Sequence, residues 1–239
     1  MTNKPNKLKK LQEEVISCRK CPRLVEYRQE VAQQIPRRFQ NWSYWSRPLP
    51  SFGDPRGRVL LIGLAPAAQG GNRTGRMFTG DRSGDWLFEA LHRFGFASQP
   101  NSDTAYDGLV LKDCYITATI RCAPPQNKPL PAETEKCRPY FQQELALLDR
   151  ARAFIPLGQF AFNQLLKNLR LKGVSLPALK FGHGEGYPLP DARTIIASYH
   201  PSQQNTFTGK LTRDMFHRVF EKGREHLNSL VPSEKRRRW

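Results

Sequence analysis

Four short apolar runs, each followed by an amphipathic stretch, restrict this chain to a small set of folds. The runs are residues 59–64, 114–120, 153–157 and 194–197. Each has the length of a strand and few polar residues, the pattern of a strand covered on both faces. Residues 86–94, 133–148, 159–169 and 212–227 read as helices. In the second of these Cys137, Tyr140, Phe141, Leu145 and Leu148 share a stripe, and in the last Met215, Phe216, Val219 and Phe220 face inward. Strand–helix alternation of this kind implies right-handed crossovers and a mainly parallel sheet, here four-stranded, with helices on both faces. No internal repeat or composition break divides the chain, so residues 1–239 are expected to form one domain. Residues 36–57, rich in proline, arginine and aromatic side chains, read as a long irregular loop.

Ligands of such sheets bind beyond the carboxyl ends of the strands. Those ends read Gly63-Leu64-Ala65-Pro66, Arg121-Cys122-Ala123-Pro124-Pro125, Gly158-Gln159 and Ser198-Tyr199-His200-Pro201. Five glycines between 63 and 80 let backbone approach a ligand closely. This stretch is not a phosphate loop, because Arg76 and Met77 stand where that motif needs Lys and Ser or Thr. Asp85 is placed to cap the helix that follows. Asp81, among glycines, is the better catalytic candidate, and Phe78 is either core or a platform for a planar base. Asn127, flanked by prolines, is a turn residue or an amide that reads a base edge through its donor and acceptor. His200, at a strand end before a small polar loop, reads as an active-site imidazole. Gln203, Gln204 and Asn205 follow it and are expected to enter a groove. His92, His183, His217 and His226 read as structural or surface residues.

The formal charge is +17, and the first 58 residues alone hold 13 basic against 5 acidic groups. A field of this sign favours a polyanion, since each neutralised phosphate releases condensed counterions. The longest apolar-type run, 59–68, is too short to span a bilayer, and the N-terminal stretch lacks the apolar segment of a secretory signal, so a cytoplasmic location is expected. The basic tail 232–239 reads as solvated. Five cysteines argue against a disulfide framework. An amphipathic helix built on Leu8, Leu11 and Val15 leads into Cys18-x-x-Cys21, and Pro22 is expected to end it at the second thiol. Cys122 and Cys137 can complete a four-thiolate shell. Redox, zinc and iron–sulfur readings all stay open on spacing alone. Cys114, inside a strand run, reads as a buried small hydrophobe.

Taken together these segments resemble the uracil-DNA glycosylase superfamily, most closely its iron–sulfur-containing family 5. Gly63-Leu64-Ala65-Pro66-Ala67 with the glycines up to Gly80 resembles the family's first motif. His200-Pro201-Ser202, Asn205 and Thr208-Gly209-Lys210-Leu211-Thr212 resemble the second. The resemblance runs from about Cys18 to Phe220. It implies a three-layer α/β/α sandwich and hydrolysis of the N-glycosidic bond of uracil, and of other deaminated bases such as hypoxanthine, in DNA that is expected to be double-stranded. The base is flipped out and an abasic site is left. It further implies Asp81 and His200 as catalytic residues, with Gly63, Leu64, Ala65, Phe78 and Asn127 around the base. Gln203, Gln204, Asn205 and Lys210 are implied on DNA, and Cys18, Cys21, Cys122 and Cys137 around a [4Fe-4S] cluster that ties in the N-terminal segment (about residues 5–25). Ala65 and Ala67 cannot activate water, which leaves that part to Asp81. Gln69 departs from the histidine expected in many relatives. The alternative is a non-catalytic iron–sulfur DNA-binding protein, which would not need Asp81, Asn127 and His200 at strand exits. A nucleotide-binding α/β enzyme is a third reading.

Overall fold

The structure is a computed structural model that describes residues 4–230. The basic tail 232–239 lies outside the described residues. Six strands form one mixed sheet: β1 (Phe52–Gly53), β2 (Val59–Gly63), β3 (Cys114–Ala118), β4 (Ala153–Pro156), β5 (Gly186–Pro188) and β6 (Thr194–Ile196), in the order β1-β3-β2-β4-β6-β5. The four expected strands, β3, β2, β4 and β6, lie side by side and parallel. β1 and β5 add a short antiparallel strand at each edge. These two carry only two or three residues, half-buried or exposed, so no apolar run marks them.

Burial on both faces explains the runs. On β2, Val59 and Leu61 enter one core while Leu60 and Ile62 enter the other. On β4, Ala153 and Ile155 face the first core and Phe154 the second. Side chains alternate at period two, but both faces are apolar, so the sequence reads as a continuous apolar run. The first core is closed by α4 (Arg82–Arg93) and α8 (Arg213–Ser229), through Trp86, Leu87, Phe88, Phe216 and Phe220. The second is closed by α1 (Lys4–Ile16), α5 (Pro131–Leu147) and α6 (Gln159–Leu171), through Leu8, Phe141, Phe162 and Leu165. Each such side chain contributes roughly 1.5–3 kcal/mol when fully buried. The result is the three-layer sandwich. Cys114 is wholly buried in the first core.

Two local expectations are corrected. The helix carrying Leu8, Leu11 and Val15 ends at Ile16, so Cys18 and Cys21 lie in the link that follows it rather than on a helical turn. Pro22 does not end a helix; it opens α2 (Pro22–Gln33), with Cys21 as the residue before it. Proline is favoured there because the first turn needs no N–H donor from it. The long loop 36–57 is irregular, interrupted by a single 3-10 turn at Arg37–Phe39 and by β1. No described helix is long and apolar enough to cross a membrane.

A buried polar network joins both ends of the second layer. Arg121 and Glu144 pair inside the protein, both essentially without solvent contact. Glu144 also accepts from Thr117 Oγ1 at 2.5 Å and from Gln12 Nε2 at 2.8 Å, and Gln12 Oε1 accepts from the Ser51 N–H at 2.7 Å. This ties α1, α5, β3 and the loop before β1 at a point next to Cys122.

Candidate active site

The parallel strands end around one cavity of about 540 Å³, a size that accepts a ligand as large as a nucleoside. Leu64, Ala65, Phe78, Asp81, Asn127, His200, Gln203 and Gln204, separated by up to 140 residues in sequence, all line it. Gly63 sits behind Phe78: a Cβ there would lie 3.0 Å from the Phe78 ring. Of the expected site residues, Gly63, Asn205 and Lys210 are not on the cavity lining. The Asn205 amide donates to the His200 carbonyl at 2.8 Å and so braces the turn after the histidine. Lys210 Nζ lies 4.9 Å from the centroid of the Tyr199 ring.

Asp81, not Asp85, caps α4. Its Oδ1 accepts from the Gly84 N–H at 3.0 Å. The extended backbone of Asp81, followed by Arg82-Ser83-Gly84, delivers the carboxylate onto the free N–H groups of the first turn. Asp85 sits one turn inside that helix. Burial raises the Asp81 pKa above the usual aspartate value; the N–H groups of Gly84 and Ser83 and the Arg73 guanidinium oppose the rise, and Asp85 adds to it. The room for this carboxylate comes from glycine, since a Cβ on Gly70 would fall 2.1 Å from Asp81 Oδ2.

His200 leaves β6 by way of Ser198 and Tyr199. Burial alone lowers its pKa to about 4, so the imidazole is neutral at neutral pH. Its ring stacks with Phe78, centroids 5.9 Å apart and planes 29° from parallel. Phe78 holds a left-handed backbone, φ 56°, a conformation an aromatic residue seldom adopts without surrounding constraint. Asn127 ends a 3-10 turn, Pro125–Asn127, in which it and Gln126 both have positive φ. Its N–H donates to the Pro124 carbonyl at 3.1 Å, and its side chain is exposed at the cavity rim. The proline-rich turn and the rim amide are therefore both present. His183 is structural: its Nδ1 accepts from the Tyr199 N–H at 3.0 Å and its Nε2 donates to the Met215 carbonyl at 3.2 Å. Gln69 does not line the cavity; its Oε1 accepts from the Tyr44 hydroxyl at 2.5 Å.

Two residues near the site had no assignment from sequence. Phe207, at the end of α7 (Gln203–Phe207), is 66% exposed and lies under the Arg82 guanidinium at 4.6 Å. The signal for it is an aromatic ring in an otherwise polar segment. Arg73 lies within the glycine-rich stretch between Gly63 and Gly80. It belongs to a short helix, α3 (Gly71–Thr74), and its guanidinium reaches the carbonyl of Gly80, the residue before Asp81.

The four cysteines of the expected shell meet elsewhere. Cys18, Cys21, Cys122 and Cys137 line one small pocket between the α1–α2 link, the loop after β3 and α5. Burial raises the Cys21, Cys122 and Cys137 thiols, the latter two to about 11 and about 12. Arg28, buried on α2, donates to Cys122 Sγ at 2.9 Å, and Arg23 bonds both carboxylate oxygens of Glu133 at 2.8 Å, clasping α2 to α5. Among the described residues no group of three or more His, Cys, Asp or Glu is disposed to hold a single metal ion.

A covered parallel sheet with a carboxylate, a neutral imidazole, an aromatic platform and a rim amide at its strand ends defines an α/β protein built to take a planar ligand with polar edges. A family model described as the uracil DNA glycosylase superfamily matches residues 50–223. The chain is 50% identical over 200 residues to a type-5 uracil-DNA glycosylase of Thermus thermophilus, covering 84% of this chain and 89% of the relative. It is 46% identical over 198 residues to one of Pyrobaculum aerophilum, covering 83% and 84%. A type-4 uracil-DNA glycosylase of Archaeoglobus fulgidus is 27% identical over 79% of this chain and 78% of its own. The chain belongs to the uracil-DNA glycosylase superfamily, in its type-5 family.

Proposed function

We propose that this protein hydrolyses the N-glycosidic bond of uracil in DNA, with the base everted from a duplex into the strand-end cavity, and leaves an abasic site. The observation that carries the reading is the convergence of Asp81, His200, Phe78 and Asn127 on one cavity in a chain of this family. Other deaminated bases, hypoxanthine among them, share the carbonyl and N–H edge that Asn127 would read. Eversion costs a few kcal/mol, less at a mispaired base. The ring stacks on Phe78 and the Asn127 amide exchanges hydrogen bonds with its edge. As the bond to the sugar loosens, negative charge moves to the base and positive charge to the sugar. His200, neutral and therefore still carrying one N–H, donates to the base carbonyl where that charge gathers. A donor that strengthens in the transition state is worth about 10²–10³ in rate. Asp81, acceptor-only when ionised, faces the sugar and orients the attacking water. Ala65 and Ala67 offer the water nothing. The +17 charge supplies attraction to the phosphate backbone without base specificity.

The cysteine pocket fits a [4Fe-4S] cluster. It offers four soft thiol donors, its one lining acid, Glu133, is taken up by Arg23, and Arg28 beside Cys122 keeps a buried Nε with no hydrogen-bond partner. Arg28, Lys20, Arg121 and Lys136 around it suit an anionic group. A bound cluster would supply a cross-link and a redox centre; the residues that would hold it belong to the α1–α2 link, α5 and the loop leading to the turn of Asn127.

Release of free uracil from a uracil-containing duplex, with abasic sites appearing in equal number, tests the reaction. Loss of that release in Asp81→Asn with duplex binding retained supports the assignment; wild-type turnover in that variant removes Asp81. Broad visible absorption and about four irons per chain support the cluster, and zinc as the sole metal sinks it.

A further inference from the structure

Arg73 is a buried cation without an acid bonded to it. The residue is 3% exposed, yet its guanidinium takes part in no ion pair among the described residues. Buried charges are ordinarily paired, because desolvation costs several kcal/mol. Its Nε donates to the Gln69 carbonyl at 2.9 Å and its Nη2 to the Gly80 carbonyl at 2.8 Å. The rings of Phe39 and Trp42 lie on it, each centroid 4.0 Å from Cζ. The chain is shaped to admit it: Gly80 has φ +71°, and a Cβ there would fall 2.4 Å from Arg73 Nη2. The Trp45 and Ser46 N–H groups bond the Arg73 and Asn72 carbonyls at 3.0 and 3.1 Å, so the aromatic segment is sewn to this short helix.

We propose that Arg73 is a positioning residue for base release: a guanidinium clamped between Phe39 and Trp42 that, through Gly80, sets the next residue, Asp81, in place and keeps its carboxylate ionised under DNA. The inference rests on the reading of Asp81 given above. The problem it solves is electrostatic. A duplex over the cavity removes water from Asp81 and brings phosphates near it, and both favour the protonated acid, which cannot orient water or oppose a cationic sugar. Asp85, one turn on, pushes the same way. Arg73 is the buried charge of the opposite sign, and the acid and the cation each favour the other's charged form. Arg82, on the residue after Asp81, is exposed and more strongly screened. The two aromatic faces hold the cation by its ring quadrupoles and shield it from water, which preserves its field at Asp81. Arg38 and Tyr44 also bear on the guanidinium, the first against its charge and the second for it.

The test is single-turnover uracil release at saturating protein between pH 5 and 9, for the wild type, Arg73→Met, Arg73→Lys and Asp81→Asn. The acid limb of the wild-type profile is expected to move up by about one pH unit in Arg73→Met and to stay near its place in Arg73→Lys. On the acid side of the limb the Met variant should be about tenfold slower than wild type, the two converging by pH 9, with duplex binding at pH 8 within threefold of wild type. A loss by the same factor at every pH, or an unmoved limb, overturns the proposal. Should Arg73→Met fail to fold, the pair Phe39→Leu with Trp42→Leu keeps the cation but admits water; the limb should then move part of the way, and an unmoved limb counts against the inference. If Asp81→Asn releases uracil normally, the underlying reading fails; if it is inert while the Arg73→Met limb stays put, only Arg73 is lost.

Discussion

Gly70 and Asp81 occupy one another's space. A Cβ on Gly70 would meet Asp81 Oδ2 at 2.1 Å, far inside any contact that real side chains make. Gly70 does not have a positive φ, so its identity is a demand of the carboxylate and not of its own backbone. Gly70→Ala should therefore displace the carboxylate while leaving the rest of the cavity standing. Base release is expected to fall about 10²-fold, the scale of losing one well-placed catalytic group, with duplex affinity unchanged. Single-turnover rates and a binding titration on the same uracil duplex check this. Equal losses in rate and affinity would mean that the substitution had disordered the whole loop.

His200 makes folding itself depend on pH. Its folded pKa is about 4, below the ordinary 6.5. Between those values the unfolded chain takes up a proton that the folded protein refuses, so stability falls as pH drops from about 6.5 towards 4. The upper limit of this term is about 3 kcal/mol, reduced by whatever solvent reaches the ring through the cavity. His200→Gln should lose less stability across that window than the wild type does, measured as denaturation midpoints at pH 7 and pH 5. Parallel losses in both proteins would show that the imidazole is not desolvated. In the proposed mechanism the donor is this uncharged ring, so activity should not rise when pH falls through 6.5.

How much of this could be read beforehand follows from where each signal is stored. The four parallel strands were legible because burial on two faces leaves unbroken apolar runs such as Val59 to Ile62. β1 and β5 were not, because two or three half-exposed residues pair at an edge by backbone alone. That Asp81, His200, Phe78 and Asn127 share one cavity is legible because the strand ends of a covered sheet open onto a common rim. The capping role fell to the wrong aspartate: which acid bonds the first-turn N–H groups depends on whether the helix starts at Arg82 or at Trp86, and apolar periodicity begins only at Trp86. Pro22 was misjudged for a similar reason, since proline marks a helix start as well as an end. The Asn205 bond to the His200 carbonyl and the clamp on Arg73 are tertiary contacts that leave no periodic trace.

Glu144 carries a testable energetic burden. It is the only acid bonded to the fully buried Arg121 among the described residues, and Thr117 and Gln12 complete its hydrogen bonds. Glu144→Gln keeps the shape but leaves a guanidinium charge without a counterion in the interior. Breaking such a pair costs about 3–5 kcal/mol. Chemical denaturation should show that loss, with a lowered midpoint and an unchanged slope. A change below about 1 kcal/mol, the scale of an exposed pair, would mean that water reaches the pair.

Phe207 separates binding to DNA from folding. Its ring is 66% exposed, on the short helix that also sets Gln203 and Gln204 at the cavity, and the Arg82 guanidinium lies over it. An exposed aromatic ring at that place has only its contact with the Arg82 guanidinium to lose, so Phe207→Ser should alter stability by no more than about 1 kcal/mol. Against DNA the same ring can stack on a base or fill the gap an everted base leaves, a contact worth about 1–3 kcal/mol. The variant should therefore release uracil from a duplex about 5- to 100-fold more slowly at subsaturating protein, while release from a single strand, where no stack has to be opened, changes much less. Comparing the two substrates with one preparation decides it: equal slowing on both would assign Phe207 to general affinity, and no slowing on either would remove it from the interface.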